Sequence, residues 1–134
     1  MTYASAWIAT AIVFAVVDAI WLSQAAPRFY RPLIGEMLSD NMRLAPAIAF
    51  YLIYVSGLVF FAVAPALERS SLMWALLCGA AFGFVAYATY DLTNQATLKV
   101  WDVRLTLLDM TWGTFASAIA SGAGYLAAQR IASG

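Results

Sequence analysis

The chain contains no histidine and a single cysteine, Cys78. The first absence removes the commonest general base and the commonest metal ligand. The second excludes an internal disulfide and a thiolate metal cluster. Charge is scarce as well. Only 10% of the 134 residues are Asp, Glu, Lys or Arg, where an ordinary soluble domain carries about 25%. Seven basic residues balance seven acidic ones, so no basic surface awaits a phosphate backbone and no nucleic-acid partner is expected. What remains is apolar: hydrophobic residues make up 64% of the chain, and the mean hydropathy is +0.81. A water-soluble core of this size could not hide so much apolar side chain, so the composition points to a membrane-spanning protein. Cys78, in the run Ala75-Leu76-Leu77-Cys78, reads as a small buried hydrophobe.

A bilayer-crossing helix needs about 20 mostly apolar residues. Four stretches qualify, near 4–23, 44–66, 72–92 and 105–128. They predict an all-α membrane protein, with four transmembrane helices in an antiparallel bundle and a single domain over 1–134. Basic residues set the orientation. Arg28, Arg31 and Arg43 lie in the first connection, and Lys99 and Arg104 lie in the third. Only Arg69 and Arg130 fall on the other side. This places the first and third connections in the cytoplasm and both termini outside. Residues 1–6 lack Lys and Arg, and Asp18 and Trp21 interrupt the first apolar stretch. That span is therefore expected to stay as a membrane helix rather than be cut as a signal peptide near Ser23-Gln24-Ala25. In the first connection, Phe29/Leu33/Met37 and Tyr30/Ile34/Leu38 recur at helical spacing, with Arg28, Arg31, Glu36 and Ser39 largely elsewhere. Pro32 falls near the start, where proline is tolerated. The pattern predicts a short amphipathic interfacial helix at 29–38, between helices 1 and 2.

An ionisable side chain inside a span is costly and marks a functional site by default. Three occur, Asp18, Asp91 and Asp109, and none has a Lys, Arg or His in its own span. Under the orientation above, all three lie in the cytoplasmic half. Steps of four back from Asp91 reach Tyr87, Gly83 and Gly79; steps forward from Asp109 reach Gly113, Ser117 and Ser121. Residues four apart share a helix face, and small residues on a face let membrane helices approach. Both aspartates are therefore expected on packing stripes. Asp18 has Ala11 and Ala15 close to its face and Trp21 on the next turn. A weak internal echo aligns Phe14-Ala15-Val16-Val17-Asp18 with Tyr87-Ala88-Thr89-Tyr90-Asp91, which would put two aspartates in comparable positions.

Buried carboxyls need hydrogen-bond donors. Tyr51, Tyr54 and Ser56 in span two, Thr89, Tyr90, Thr93, Asn94 and Gln95 at the end of span three, and Thr106, Thr111 and Trp112 in span four supply them to one layer. The candidates for ligand contact or proton relay are Asp18, Trp21, Tyr54, Tyr87, Asp91, Asn94, Asp109 and Trp112. Arg28 and Arg31 are candidates for holding an anionic headgroup, although positive-inside anchoring alone accounts for them. Trp7, Trp74, Trp101 and Tyr125 read as interfacial belt residues. Gly79-Ala80-Ala81-Phe82-Gly83 is a GxxxG motif, read as packing within the bundle.

In these residues the chain resembles a bacterial family of small integral membrane proteins of unknown function, domain of unknown function 2177. The most distinctive piece is Tyr87-Ala88-Thr89-Tyr90-Asp91-Leu92-Thr93-Asn94, with Ala96-Thr97-Leu98 following. Supporting pieces are Asp18-Ala19-Ile20-Trp21-Leu22, Phe29-Tyr30 before Gly35, Tyr51-Leu52-Ile53-Tyr54 with Gly57, and Asp109-Met110-Thr111-Trp112-Gly113. The resemblance implies four membrane helices and a bacterial inner-membrane location, which makes both termini periplasmic. It implies no established activity.

Three functions fit these observations. The first is a site that binds or processes a lipid-like or amphiphilic small molecule near the cytoplasmic leaflet. One aspartate would serve as acid or base, and Tyr87, Tyr54 or Asn94 would orient the ligand. The second is a proton- or cation-coupled small transporter, which with four spans needs a homodimer. The third is a non-catalytic accessory or assembly subunit of a larger membrane complex. Against all three stands a structural lock, in which tyrosines bond the carboxyls. Such contacts contribute about 0.6–2 kcal/mol, while an aspartate at a helix centre costs about 2.5–3.5 kcal/mol to insert. The first function is preferred, with no reaction specified. Membrane lipids are the expected partners. No cofactor and no metal are expected: the carboxylates suit Mg²⁺ or Ca²⁺, and zinc has no His or Cys ligands here.

Overall fold

The computed structural model describes residues 2–34 and 43–133. Among them every regular element is helical. Helix α1 is Thr2–Ala25, and it runs on through a π-helical turn, Ala26–Tyr30, into Arg31–Ile34. Helix α2 is Leu44–Leu58, continued by a second π turn, Val59–Val63, and by Ala64–Arg69. Helix α3 is Leu72–Thr97 and α4 is Val103–Ser133. Three of these stretches, Thr2–Tyr30, Leu44–Arg69 and Leu72–Thr97, are long and apolar enough to cross a membrane. Their outer faces carry exposed large hydrophobes such as Ile12, Val16, Ile53, Phe60 and Val85. A helix that is apolar on its outer face as well as its inner one suits lipid surroundings.

Both π turns have a proline in or beside them. Proline lacks the N–H that a helix needs, and its ring crowds the carbonyl four residues back. Pro27 lies inside the first π turn and Pro65 follows the second. At each place the helix widens to bonds five residues apart. The Arg31 N–H donates to the Ala26 carbonyl, and the Ala64 N–H donates to the Val59 carbonyl. Helix α1 therefore continues well past the span end expected near residue 23. The residues expected to open a separate interfacial helix at 29–38 prolong α1 as far as Ile34. The remainder of that stretch lies outside the described residues.

Contacts along the helices show that neighbours run antiparallel. Between α1 and α4, Thr10 lies beside Gly124, and Asp18 meets Trp112. Between α1 and α2, Trp7 meets Ser56 and Asp18 meets Tyr51. Between α3 and α4, backbone lies against backbone. A Cβ on Gly79 would come within 2.6 Å of Ser121 Oγ and 2.8 Å of the Ser117 carbonyl oxygen, and one on Gly83 would strike the Gly113 carbonyl. The stripes that carry Asp91 and Asp109 thus face each other, as their spacing predicts.

The two connections within the described residues, at 70–71 and 98–102, are short, and each leads into its next helix with a side-chain cap. Ser70 adopts the left-handed conformation at φ 49°, and Ser71 Oγ accepts the Trp74 N–H at 3.1 Å to start α3. The Arg69 guanidinium lies 4.0 Å over the Trp74 ring. Asp102 starts α4 by accepting the Arg104 N–H at 2.8 Å, a side-chain cap on a helix N-terminus. Two packed layers separate the ends of the bundle. Ala6, Val63, Ala66 and Tyr125 fill one end, and Phe14, Leu58, Ala116 and Ala120 fill the middle beneath the polar site.

Candidate functional site

At the end of the bundle bearing the 98–102 connection, side chains from all four helices line a cavity of about 480 Å³. Asp18, Asp91 and Asp109 all line it. Asp18 is half-buried on α1. The face that brings it inward carries Phe14, Asp18 and Trp21, while Ala15 is exposed; the inward residues are spaced four and three apart, as one helical face requires. This corrects the alanine face expected around Ala11 and Ala15. The Tyr51 hydroxyl donates to one oxygen of Asp18, and Trp112 Nε1 donates to the other at 3.4 Å.

Asp109 is held from the opposite side. Trp21 Nε1 donates to the Tyr30 hydroxyl at 3.1 Å, and Tyr30 donates to Asp109 Oδ1 at 2.7 Å. In an unbroken α-helix, nine residues would put Tyr30 on the face opposite Trp21. The wider π turn brings Tyr30 back toward the interior. That local change of pitch builds one arm of the site.

Asp91 differs from both. It is 0% exposed, and neither carboxyl oxygen has a hydrogen-bond partner among the described residues. Asp109 lies against it: as carboxylates neither donates to the other, and a proton on either one bridges the two as a hydrogen bond. The Tyr87 ring lies over Gly113, where any Cβ would collide with it. Asp18 and Asp109 are the acids acting on the Tyr87 hydroxyl, and no hydrogen bond among the described residues engages it. Tyr54, at the cavity floor, shares a hydrogen bond with Ser117 Oγ at 2.6 Å.

A family model described as predicted membrane protein, DUF2177, matches residues 3–126. The chain belongs to this family. No curated protein and no solved structure matches it. The apolar helices of this DUF2177 chain fit an integral membrane protein, in keeping with the family's description; the family's function is unknown. Every cavity residue falls inside the DUF2177 match.

Of the eight residues singled out in the DUF2177 sequence for ligand contact or proton relay, seven line the cavity, and Asn94 does not. Asn94 lies beside Tyr90, and its carbonyl accepts the Leu98 N–H at 2.8 Å to end α3. Arg28 and Arg31 are exposed on the extension of α1 and do not line the cavity. The sequence reading missed Tyr30 and Phe50 as cavity residues and assigned Trp101 to an interfacial belt. Trp101 lines the cavity, packs edge-on to Tyr90 and donates to the buried Thr106 hydroxyl at 2.8 Å. Other hydroxyls expected in the polar layer are absent from it. Thr89, Thr93 and Thr111 are exposed, and each donates to a carbonyl three or four residues back in its own helix. Ser56 does the same to Leu52. A hydroxyl bonded in this way needs no partner across the bundle.

The chemistry of the site follows from this division. Two acids are held by protein donors before any ligand arrives. One acid and one tyrosine hydroxyl are left for something else to bond. Leu22, Phe50 and Tyr90 line the cavity and are also exposed among the described residues, so the cavity wall meets the outer surface of this DUF2177 bundle there. Among the described residues, no three acids converge as ligands of one metal ion.

Proposed function

We propose that this DUF2177 protein holds a lipid-like or amphiphilic small molecule in a polar intramembrane site near one face of the bilayer. Asp91 carries the proposal. Its carboxyl is wholly buried at the wall of a 480 Å³ cavity, and among the described residues no Tyr, Trp or backbone donor bonds either oxygen. A buried polar group without a partner costs about 1–3 kcal/mol, and a ligand that donates to it recovers that cost. A structural lock requires the reverse, with every acid bonded by protein. Asp18 and Asp109 meet that requirement, whereas Asp91 has only a proton shared with Asp109 to draw on. The cavity volume lies within the range of about 300–1,000 Å³ common for small-molecule sites. The exposed Leu22, Phe50 and Tyr90 at its edge suit a ligand that arrives from the lipid.

We take α4 as a fourth crossing helix. It packs antiparallel along α1 and α3, and Leu107, Phe115 and Leu126 face outward from it. Both termini then lie on the face opposite the site. The excess of Arg and Lys near the site orients that face to the cytoplasm of a bacterial inner membrane. In this arrangement Arg28 and Arg31 contact bilayer headgroups beside the site, not the bound molecule.

The test is to purify the wild-type chain and Asp91→Leu from native membranes in mild detergent and to identify co-purifying small molecules by mass spectrometry. The wild type is expected to retain one amphiphile that Asp91→Leu lacks. The same lipid mixture with both proteins defeats the proposal.

A further inference from the structure

The composition of the cavity wall restricts the chemistry of its occupant. Three carboxyls line it, together with the rings of Trp21, Tyr54, Tyr87, Tyr90, Trp101 and Trp112. Among the described residues no Lys or Arg lines it. The basic residues nearest in sequence are engaged or turned away. The Arg104 guanidinium is paired with Asp102 at 2.6 Å outside the cavity, and Arg28, Arg31 and Lys99 are exposed and do not line it. The acids therefore meet no cation supplied by the protein. An anionic head would enter against like charge, with the Tyr87 hydroxyl to donate to it and no cation to neutralise it. A bare metal ion is poorly served, because no three acids converge on one point among the described residues. An acidic cluster alone would not define a site. The second observation is Asp91, fully buried, placed at the cavity wall and without a Tyr, Trp or backbone donor among the described residues.

Aromatic faces and carboxylates in a desolvated pocket together are the chemistry that recognises organic cations. Resting on the ligand-site reading above, we propose that the occupant is an amphiphilic amine, with a protonated nitrogen among the rings, an N–H donated to Asp91, and an apolar body along the lipid-facing edge at Leu22 and Phe50. The nitrogen supplies the donor that Asp91 lacks, and its charge complements all three acids at once. Trp21 and Trp112, both lining the cavity, are stacked on each other.

The experiment compares three probes that share a chain and differ only in the head: decylamine, decanol and decanoate. Each is titrated into the full chain in phosphatidylcholine nanodiscs, with empty nanodiscs as the partition control and tryptophan fluorescence as the readout. Decylamine is expected to bind saturably and at least about tenfold more tightly than the other two, the scale of a desolvated cation–aromatic contact. Asp91→Asn is expected to weaken decylamine by about tenfold and leave decanol unchanged. Should Asp91→Asn fail to fold, as judged by gel filtration and helical circular dichroism, Asp18→Asn takes its place with the same expectation. If decanol or decanoate saturates as tightly as decylamine, the amine inference falls and the ligand site stands. If no probe saturates, both fall.

Discussion

Trp21 of α1 lies flat against Trp112 of α4, with ring centroids 4.6 Å apart and planes 7° from parallel. Each indole N–H leads to a different acid. Trp112 donates to Asp18, and Trp21 donates to Tyr30, which donates to Asp109. The stack therefore joins the two arms that hold the acids. A double-mutant cycle with Trp21→Leu, Trp112→Leu and the pair should show a coupling of about 0.5–1.5 kcal/mol in unfolding measured in detergent, the usual worth of such a ring pair. Strictly additive losses would make the stack incidental.

Asp91 and Tyr30 should respond in opposite directions. Asp91 has no Tyr, Trp or backbone donor to lose among the described residues, only a proton shared with Asp109, so Asp91→Leu removes a buried group that the protein leaves largely unsatisfied. Unfolding in detergent should show unchanged or higher stability, by up to about 1–3 kcal/mol. Tyr30 joins Trp21 to Asp109, so Tyr30→Phe should lower stability by about 1 kcal/mol. A clear loss of stability in Asp91→Leu would return Asp91 to a structural role.

Periodicity explains why so much of the architecture is legible before any coordinates. Gly79, Gly83 and Asp91 share one face of α3 by steps of four, and Gly113, Ser117 and Ser121 share one face of α4. The two faces meet as their small side chains dictate. Tyr30 is hidden from the same reasoning because a π turn changes the pitch between it and Trp21. Counting residues at 3.6 per turn puts it on the wrong side. Thr89, Thr93 and Thr111 mislead for another reason. Their hydroxyls can satisfy themselves within one helix, so polarity does not report direction. Ala15 misleads because smallness alone marks a packing face only where a neighbouring helix approaches. On α1 the bulky Phe14 and Trp21 turn inward instead.

Backbone contact at Gly83 gives a sharp contrast with Gly122. A Cβ at Gly83 would strike the Gly113 carbonyl, which cannot rotate away, whereas at Gly122 it would meet the tip of the Leu76 side chain at 2.8 Å. Gly83→Ala should cost about 1–3 kcal/mol, the range of overpacked interiors. Gly122→Ala should be close to neutral, because Leu76 can shift and alanine gains about 1 kcal/mol of helix propensity. Thermal unfolding of both variants in the same detergent checks the difference. Equal losses would show that the α3–α4 backbones can part.

Ser70 bears a positive φ of 49° at the turn between α2 and α3. A side chain in that region costs about 1–2 kcal/mol that glycine avoids. Ser70→Gly should therefore raise stability by about 1 kcal/mol in detergent unfolding, less the entropy that glycine adds to the unfolded chain. A loss instead would mean that the serine side chain contributes a contact worth more than the strain.

The acid sensitivity of the third connection has a definite sign. The side chain and backbone N–H groups of Arg104 donate to Asp102 and hold its carboxyl below the usual carboxylate range, at about 2. A group lowered on folding contributes stability that is fully present above its unfolded value of about 3.9. That contribution is lost as pH falls from there through about 2. Asp102→Asn keeps an acceptor for the Arg104 N–H and removes the charge, so it isolates the ionic part. The stability difference between wild type and Asp102→Asn should be flat at neutral pH and shrink between about pH 4 and pH 2. It should also shrink in high salt, because the exposed Arg104 is open to screening. Carboxyl carbon shifts of Asp102 followed by NMR give the midpoint directly. A midpoint near 3.9 would show that Arg104 does not hold this carboxylate, and that α4 begins on its backbone hydrogen bonds alone.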